Sequence, residues 1–452
     1  MKNYERSNSH YPRMRVIRSF DGGITRPGRA MTVTIFFVLS ACVVLAQDST
    51  KLSLLFIGDI MQHDTQIAAA FDASTGKHDY TECFQNVKPV FESADMTIGN
   101  LELALGGPPY KGYPAFSAPD ELVETLIWSG VDVLVTANNH CLDRGRKGLQ
   151  RTVAVLDTFG IPHTGTFVDS THRANTYPLL IEKNGFKISL LNYTYGTNGI
   201  AVTKPNIVNY IDTVQIASDI VKAKEQQPDF IITFFHWGDE YQRLPNKAQK
   251  KVADFCFKRG VKLVIGAHPH VVQPMEWRKD TDQLVVYSLG NFVSGQTSRY
   301  KNGGAMLFVE LQKNDSLTTI NKAEYDLQYV YRDASRDYRI IPVRHFESDT
   351  TLLAEKVARA SLREFASDSR KLFMDHNLNI GERVVEDSVY FILIDDVDTT
   401  LSAIKFYGIQ KDTVAGIRVG EFYDKEVAIQ ALSDIRSQLP NVNAVLVRRR
   451  KD

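Results

Sequence analysis

Short apolar runs alternate along the chain with longer amphipathic stretches. The runs are LSLLFI (52–57), DMTI (95–98), VDVLVT (131–136), FKISLLNY (186–193), DFIITFF (229–235), VKLVI (261–265) and QLVVYS (283–288). Each run ends in polar residues or glycine, and helical patterns such as those over 147–159 and 246–259 lie between them. Runs of this kind are typical of buried parallel strands joined by crossover helices, so the pattern predicts an α/β domain.

The pattern changes after about residue 300 and divides the rest of the chain. Longer amphipathic strands are predicted at 304–312 and 317–332, and they belong to a first domain over 51–345. A polar helical stretch then predicts a helical linker over 346–385. Beyond it, residues 386–452 have the order β-α-β-α-β, which predicts a small α+β domain.

The N-terminus has the features of a secretory signal. Residues 31–46, MTVTIFFVLSACVVLA, carry no charge, follow Arg26 and Arg29, and end in residues suited to signal-peptidase cleavage before Gln47. The stretch is shorter than the ~20 apolar residues that span a bilayer. We therefore predict a leader over 1–46, export to the periplasm or cell envelope, and no permanent membrane span.

Two alternatives stay open for this region. Leu39-Ser40-Ala41-Cys42 matches the lipobox after which bacterial lipoproteins are cut and acylated on the cysteine. The apolar run continues past Cys42 to Ala46, which favours the later cleavage site and a soluble exported protein. Met31 also fits as the start of translation, with residues 1–30 as an upstream extension.

Composition removes several functional classes. Of 452 residues, 53 are Lys or Arg and 53 are Asp or Glu, so a nucleic-acid partner has no electrostatic support. The four cysteines are widely spaced, which fits neither a zinc ribbon nor a disulfide framework. We therefore expect the chemistry to come from other side chains.

Residue types that bind metals follow six of the seven apolar runs predicted as strands. They are Asp59, Asn100 with Glu102, Asn138 to His140, His236, His268 with His270, and Asn291. Ligands of α/β sheets lie beyond the carboxyl ends of the strands, so these side chains are expected at one rim. Carboxylate, imidazole and carboxamide together suit Mn, Fe or Zn better than Mg or Ca. We interpret Asn291 as a turn residue and leave it out of the ligand set.

The spacing of two histidines suggests how such a site is organised. His268 and His270 are two apart, and in extended chain both imidazoles lie on the same side, so each could reach one of two adjacent metals. Two ions ~3.5–4 Å apart activate water and stabilise a phosphoryl group. His140 is suitably placed to protonate the leaving oxygen.

The motifs that carry these residues resemble a known family. GDIM (58–61), NLE (100–102), ANNHxLDRG (137–145), FHWGDEY (235–241), GAHPHV (266–271) and YSLGNF (287–292) occur in this order. Together they resemble the CapA family of poly-γ-glutamate capsule synthesis proteins, a branch of the calcineurin-like metallophosphoesterase superfamily, over roughly residues 52–300. The resemblance implies a layered αββα fold with one or two divalent metal ions at the carboxyl edge of the sheets. It also implies His140 as catalytic residue and six metal ligands: Asp59, Glu102, Asn139, His236, His268 and His270.

The first motif departs from the superfamily pattern. The superfamily has Asp-x-His, whereas this chain has Asp59-Ile60-Met61, and a thioether is a poor ligand for a hard dication. Three outcomes stay open: Glu102 compensates, His63 turns into the site, or the chain binds a single metal.

The C-terminal unit resembles another family. Residues 416–447 look like the second half of a SPOR domain, a bacterial module that binds peptidoglycan, whereas YFILIDD (390–396) lacks the usual first-half signature. The resemblance implies peptidoglycan as a partner.

Two functions are therefore expected. The first is an exported envelope protein that acts in the synthesis, export or anchoring of an anionic capsule polymer, as a metal-dependent hydrolase of phosphoester-like substrates. The alternative is a non-catalytic envelope scaffold, in which the rim holds a structural metal or the carboxylates of the polymer and the C-terminal domain tethers the protein to peptidoglycan.

Overall fold

The computed structural model describes residues 50–315, 317–333, 337–347, 352–353, 355–384, 388–395, 409–412, 416–422, 425–438 and 443–450. The leader predicted over 1–46, with its lipobox, lies outside these residues. Among the helices of the described ranges, none is both long enough and apolar enough to cross a membrane.

Strands and helices alternate from Thr50 to Val293, as the apolar pattern predicts. The first elements are β1 (Thr50–Ile60), α1 (Asp64–Ala70), β2 (Phe71–Asp72), β3 (Lys77–His78), α2 (Thr81–Phe84), α3 (Lys88–Glu92), β4 (Met96–Leu101), α4 (Glu121–Ser129), β5 (Val133–Val135), α5 (Gly145–Phe159), β6 (His163–Thr164), β7 (Thr166–Phe167) and α6 (Ser170–Thr176). They are followed by β8 (Leu179–Lys183), β9 (Phe186–Thr194), β10 (Ile207–Val208), α7 (Thr213–Glu225), β11 (Phe230–His236), α8 (Lys247–Phe257), β12 (Leu263–Ala267), β13 (Val272–Arg278), β14 (Gln283–Leu289) and β15 (Asn291–Val293).

Long antiparallel strands and one long helix follow. These elements are β16 (Gly303–Asn314), β17 (Leu317–Arg332), β18 (Tyr338–Pro342), α9 (Val343–Phe346), α10 (Lys356–His376) and β19 (Gly381–Glu382). The C-terminal elements are β20 (Ser388–Asp395), β21 (Ile409–Asp412), β22 (Gly416–Phe422), α11 (Lys425–Gln438) and β23 (Asn443–Arg450).

Two mixed sheets form the centre of the described structure. The first has the order β18-β17-β16-β1-β4-β5-β6, with β15 also paired to β1 and β19 to β17. The second has the order β13-β14-β12-β11-β9-β8. In each sheet the central strands run parallel: β1, β4, β5 and β6 in the first, and β9, β11, β12 and β14 in the second.

Alternating side chains show how the layers stack. Phe56 of β1 and Phe234 of β11 belong to one apolar core between the two sheets. Leu55, the neighbour of Phe56, packs instead in a cluster with residues of α2, α3 and α4. Phe235, the neighbour of Phe234, packs with residues of α7 and α8. Strands buried on both faces give the order helix, sheet, sheet, helix, which confirms the predicted layered αββα fold.

The segment predicted as a helical linker contains a helix that joins the central core. Leu362, Phe365 and Phe373 of α10 are buried in the cluster that lies between the sheets. Directly after α10, the Asn377 side chain accepts the backbone N–H of Met275 at 2.9 Å. The apolar face of α10 is therefore covered by the sandwich.

The C-terminal elements form a four-stranded sheet of order β21-β22-β20-β23, accompanied by α11. The strands predicted at its start, middle and end are present as β20, β22 and β23, and the second predicted helix is α11. Strand β21 is additional, and it pairs with β22 in antiparallel fashion. The first predicted helix lies outside the described residues. The SPOR-like character of residues 386–452 stays a prediction.

Two glycines bring the two sheets together at one end. The chain passes from β14 of the second sheet to β15 of the first at Gly290, whose φ is 72°. The backbone N–H of Asp59 donates to the Gly290 carbonyl at 3.0 Å. A Cβ on Gly58 would lie 2.0 Å from that carbonyl oxygen, so the approach requires glycine at position 58. The motifs GDIM and YSLGNF thus meet at the edge where the site forms.

Candidate metal centre

The predicted site residues gather where the carboxyl ends of both parallel strand sets meet. Asp59 lies at the end of β1, Glu102 follows β4, Asn139 and His140 follow β5, His236 ends β11, and His268 and His270 follow β12. All seven side chains are buried. Residues from two different sheets therefore face one another.

One group of donors centres on His236. Its Nε2 lies 2.7 Å from Asn139 Oδ1, 3.1 Å from His268 Nδ1 and 3.4 Å from Glu102 Oε1. Ligand atoms of Glu102, His236 and His268 all lie within 4.8 Å of one another. This spacing suits a single ion between them.

A second group lies beside the first and shares one residue with it. His270 Nδ1 is 3.4 Å from Asp59 Oδ2, and His270 Nε2 is 3.8 Å from Glu102 Oε1. Ligand atoms of Asp59, Glu102 and His270 also lie within 4.8 Å of one another. Glu102 thus belongs to both of these groups and could contribute to a metal ion held by either of them.

The environment of Glu102 fits a cation. Its side chain is fully buried, and within the described residues neither carboxylate oxygen has a hydrogen-bond partner. Burial raises the pKa of Glu102 well above its usual range, and the neighbouring Asp59 carboxylate raises it further. No lysine or arginine in the described ranges forms an ion pair with the carboxylate of Asp59 or Glu102; the side chains within 4.0 Å of them include the imidazoles of His236 and His270. Two buried carboxylates without a positive partner are unfavourable unless a metal ion compensates them.

The imidazoles are in the state that metals require. Burial holds the pKa of His236 well below its usual value, and His268 and His270 lower it further. Burial lowers the pKa of His268 to about 4, again with His270 contributing. Neutral rings present a lone pair to a metal. The donor set is therefore compatible with a divalent metal site.

Two asparagines orient the ligands. Asn100 Nδ2 donates to Asp59 Oδ1 at 2.7 Å and lies 3.2 Å from His236 Nδ1. Asn291 Oδ1 lies 3.0 Å from His270 Nδ1. The interpretation of Asn291 as a turn residue is wrong, because it lies in β15 and contacts a predicted ligand. Contacts of this kind fix the orientation of metal ligands.

The His-x-His segment is not extended, and that part of the prediction is wrong. His268 has φ of 101° and His270 of 57°, both in the left-handed region that non-glycine residues rarely adopt. The chain turns sharply after β12, and this turn, rather than strand alternation, directs His268 towards His236 and His270 towards Asp59. Strained backbone of this type is concentrated at functional sites.

His140 lies next to the donor groups and has its own partner. Its Nδ1 donates to Asp143 Oδ2 at 2.7 Å, and the same oxygen accepts the N–H of Phe116. Asn198 contacts both His140 Nδ1, at 3.4 Å, and Asn139 Nδ2, at 3.1 Å. Asp143 lies in the ANNHxLDRG motif but is not among the predicted site residues. Its position three residues after His140 is the sequence feature that indicates a contact between the two side chains. Asn198 lies on a loop that is distant from His140 in the sequence, and no sequence feature indicates this contact.

Met61 and His63 do not join the donor groups. The Met61 side chain packs in the apolar cluster beneath the first sheet. His63 Nδ1 accepts the backbone N–H of Gly295 at 3.1 Å, and burial lowers the pKa of His63 to about 4. The first motif therefore contributes Asp59 alone.

Aromatic side chains surround the histidines. Trp237 is buried and stacks on Phe235, whereas Tyr195 and Tyr241 are close to half exposed. The Tyr195 ring lies 4.5 Å from the His268 ring, and the Tyr241 ring lies 6.1 Å from the His270 ring. The two tyrosines therefore border the solvent side of the site.

The chain is similar to proteins of capsule synthesis. It is 28% identical over 282 residues to the capsule biosynthesis protein CapA of Bacillus anthracis, which covers 59% of this chain and 66% of that protein. It is 27% identical over 303 residues to the PGA biosynthesis protein CapA of Bacillus subtilis strain 168, covering 64% and 77%. Among solved structures, the calcineurin-like phosphoesterase YfkN of Bacillus subtilis matches with 14% identity and a TM-score of 0.40, over 70% of this chain and 99% of that one.

A family model identifies the chain directly. The model described as bacterial capsule synthesis protein PGA_cap matches residues 53–296. This range covers more than half of the chain and contains both parallel strand sets and every predicted site residue. The chain therefore belongs to the PGA_cap family of bacterial capsule synthesis proteins.

Proposed function

We propose that this protein acts in the cell envelope in the synthesis, export or anchoring of an anionic capsule polymer such as poly-γ-glutamate, through a divalent metal centre. The proposed ligands are Asp59, Glu102, Asn139, His236, His268 and His270. The observation that carries the proposal is the Glu102 carboxylate, which is fully buried, lacks hydrogen-bond partners in the described structure and belongs to both donor groups. Membership of the capsule synthesis family supports the polymer as substrate or product.

The residues around the centre suit hydrolysis or transfer at a phosphoester-like group. Bound divalent ions would polarise the substrate oxygen and stabilise negative charge there. Asp143 holds the Nδ1 proton of His140, which leaves Nε2 of that ring as the atom that can exchange a proton with a leaving group. Asn100 and Asn291 keep Asp59 and His270 in place. We assign His140 the role of general acid.

Metal content is the first test. The purified full-length protein and the His268→Ala, His270→Ala double variant are incubated with Mn, Fe or Zn and measured by elemental analysis. We expect one or two ions in the wild-type chain and their loss in the variant. A wild-type protein that binds no metal under these conditions would refute the metal centre and support the scaffold function.

Turnover is the second test. We expect the metal-loaded protein to hydrolyse a generic phosphodiester such as bis(p-nitrophenyl) phosphate. His140→Ala should lower turnover by about 10²- to 10⁴-fold, the usual contribution of general acid–base catalysis, and should leave the metal content unchanged. Unchanged turnover in this variant would remove the role assigned to His140.

Export and wall attachment form a separate part of the proposal. We propose that residues 1–46 direct export and are removed, and that the SPOR-like segment 386–452 binds peptidoglycan. Mass spectrometry of the mature protein should find an N-terminus at Gln47, whereas an acylated Cys42 would indicate a lipoprotein. The full-length protein should sediment with purified peptidoglycan, and a variant that lacks 386–452 should not. Equal sedimentation of both would contradict the tether.

A further inference from the structure

A short segment after β11 lies over the turn that carries His268 and His270. At its start, the Trp237 N–H donates to the Ala267 carbonyl at 3.1 Å. Gly238 then adopts φ of 92°, which turns the chain sharply. Four residues after its start, the Tyr241 N–H donates to the Pro269 carbonyl at 2.8 Å. The backbone on both sides of Glu240 is therefore bonded to the segment that carries the two histidines.

The far end of this segment is fastened as well. Asp239 accepts a hydrogen bond from Asn246 Nδ2 at 2.8 Å, and Asn246 caps the first turn of α8. Gln273 of β13 donates its Nε2 to the Gln242 carbonyl at 2.8 Å. The residue between these contacts, Glu240, thus stands on a backbone that neighbouring elements hold in place.

The Glu240 side chain is directed to the predicted ligands. One of its carboxylate oxygens and one ring nitrogen each of His268 and His270 all lie within 4.8 Å of one another. This is a third donor group, and it differs from the other two because Glu240 is exposed. Among the described residues Glu240 forms no ion pair with lysine or arginine, and its neighbour is the Tyr241 hydroxyl. Its carboxylate therefore faces the metal centre from the solvent side.

The first two donor groups differ in the number of protein donor atoms that they contain, and this difference gives Glu240 a role. The group around His236 has Asn139 as an additional oxygen ligand. Among the described residues, the group of Asp59, Glu102 and His270 contains no fourth His, Cys, Asp or Glu donor, and the Met61 side chain packs in the core. His63 does not supply a further ligand to this group either, since its Nδ1 already accepts the N–H of Gly295.

We infer that Glu240 is a further ligand of the metal centre and supplies, beside His270, the donor that Met61 does not provide. The inference rests on the proposed function, because it requires that the centre binds metal. The inference also gives a role to the FHWGDEY segment (235–241), whose acidic residues are not part of the predicted ligand set. A carboxylate is a suitable replacement for imidazole at a Mn, Fe or Zn site.

The test measures metal binding rather than turnover. Isothermal titration of the metal-stripped full-length protein with Mn²⁺ is compared for wild type, Glu240→Gln and Asp239→Asn. Asp239 is the matched control, because it is the adjacent exposed carboxylate and lies outside the donor groups, and asparagine at this position keeps a side-chain oxygen that accepts the hydrogen bond from Asn246. We expect Glu240→Gln to weaken the binding of one Mn²⁺ by about 10- to 100-fold, the range typical for loss of a residue that supports a metal site, and Asp239→Asn to bind as wild type.

Each outcome is decisive. Wild-type affinity in Glu240→Gln would overturn the role of Glu240 and leave the metal centre standing. Equal weakening in both variants would also overturn it, because general loss of negative charge would then explain the effect. A wild-type protein that binds no Mn²⁺, Fe or Zn would overturn the proposed metal centre and Glu240 with it. Circular dichroism of the variants checks that their fold is intact.

Discussion

The substitution Glu102→Gln should change the stability of the protein in opposite directions with and without metal. In the metal-free protein Glu102 is a buried carboxyl group next to Asp59, and no group of the described residues donates a hydrogen bond to it. Glutamine removes the charge, keeps the volume and can donate to the Asp59 carboxylate. In the metal-loaded protein the same change removes a ligand that both donor groups share. We therefore expect stabilisation in the first state and destabilisation in the second.

The size of the stabilisation has an upper limit. A buried carboxyl group can always become protonated, which costs about 1.4 kcal/mol for each pH unit above its ordinary pKa. With an ordinary pKa of 4.5, the penalty in the wild type at pH 7 is therefore at most ~3.4 kcal/mol. Because folding raises the pKa of Glu102, the penalty is absent below pH 4.5 and grows as the pH rises. The benefit of Glu102→Gln should follow the same pH dependence.

Thermal unfolding followed by circular dichroism measures both effects. For ~400 folded residues, 1 kcal/mol corresponds to roughly 1 °C in Tm, so metal-free Glu102→Gln should unfold up to ~4 °C above wild type at pH 7. Mn²⁺ at 1,000 times its Kd stabilises wild type by ~4 kcal/mol, or roughly 5 °C, and this gain should largely disappear in the variant. Glu182→Gln, an exposed carboxylate near Lys187, serves as control. A lower Tm of the metal-free variant would refute this account of Glu102.

Three further predictions concern the pair of Asp143 and His140, helix α10, and the contact of Gly58 with the Gly290 carbonyl. Asp143→Asn should lower turnover by about 10²-fold, because Asp143 contacts His140, and it should leave the metal content unchanged, because Asp143 lies outside the donor groups. Steady-state kinetics and elemental analysis measure the two effects, and normal turnover would contradict the prediction. Phe365→Ala should reduce the free energy of unfolding in urea by ~3–5 kcal/mol, since that ring is buried in the central core; a loss below ~1 kcal/mol would place α10 outside the core. Gly58→Ala should abolish Mn²⁺ binding, because its Cβ would lie 2.0 Å from the Gly290 carbonyl oxygen, whereas Gly196→Ala, with nothing within 4 Å, should bind normally.

Much of the fold could be predicted because burial leaves a direct mark on the sequence. Strands buried on both faces read as continuous apolar runs, and β1, β9, β11 and β14 lie where such runs occur. Strand β13 does not produce this signal, since VQPMEWR contains Pro274 and three polar residues. It is the edge strand of the second sheet, and proline within sheets is largely confined to edge strands.

The pairing between distant segments could not be predicted in the same way. Asn291 contacts His270, and Asn198 contacts His140, through loops and sheets that only the tertiary structure brings together. The same holds for Glu240, which is an ordinary exposed acid in sequence and becomes a candidate ligand because Tyr241 is bonded to Pro269. Strand ends specify which residues reach the rim, and the loops decide which of them touch.

The site breaks several local rules at once, and the exceptions share one explanation. His268 and His270 have left-handed backbone, each at a cost of about 1–3 kcal/mol, and the Glu102 carboxylate is buried without a hydrogen bond in the described structure. Three imidazoles are held against two carboxylates where no lysine or arginine of the described residues forms an ion pair with them. A purely structural cluster would gain stability by losing any of these features. A divalent cation would satisfy the carboxylates and the lone pairs together, so the exceptions are all compatible with the proposed metal centre.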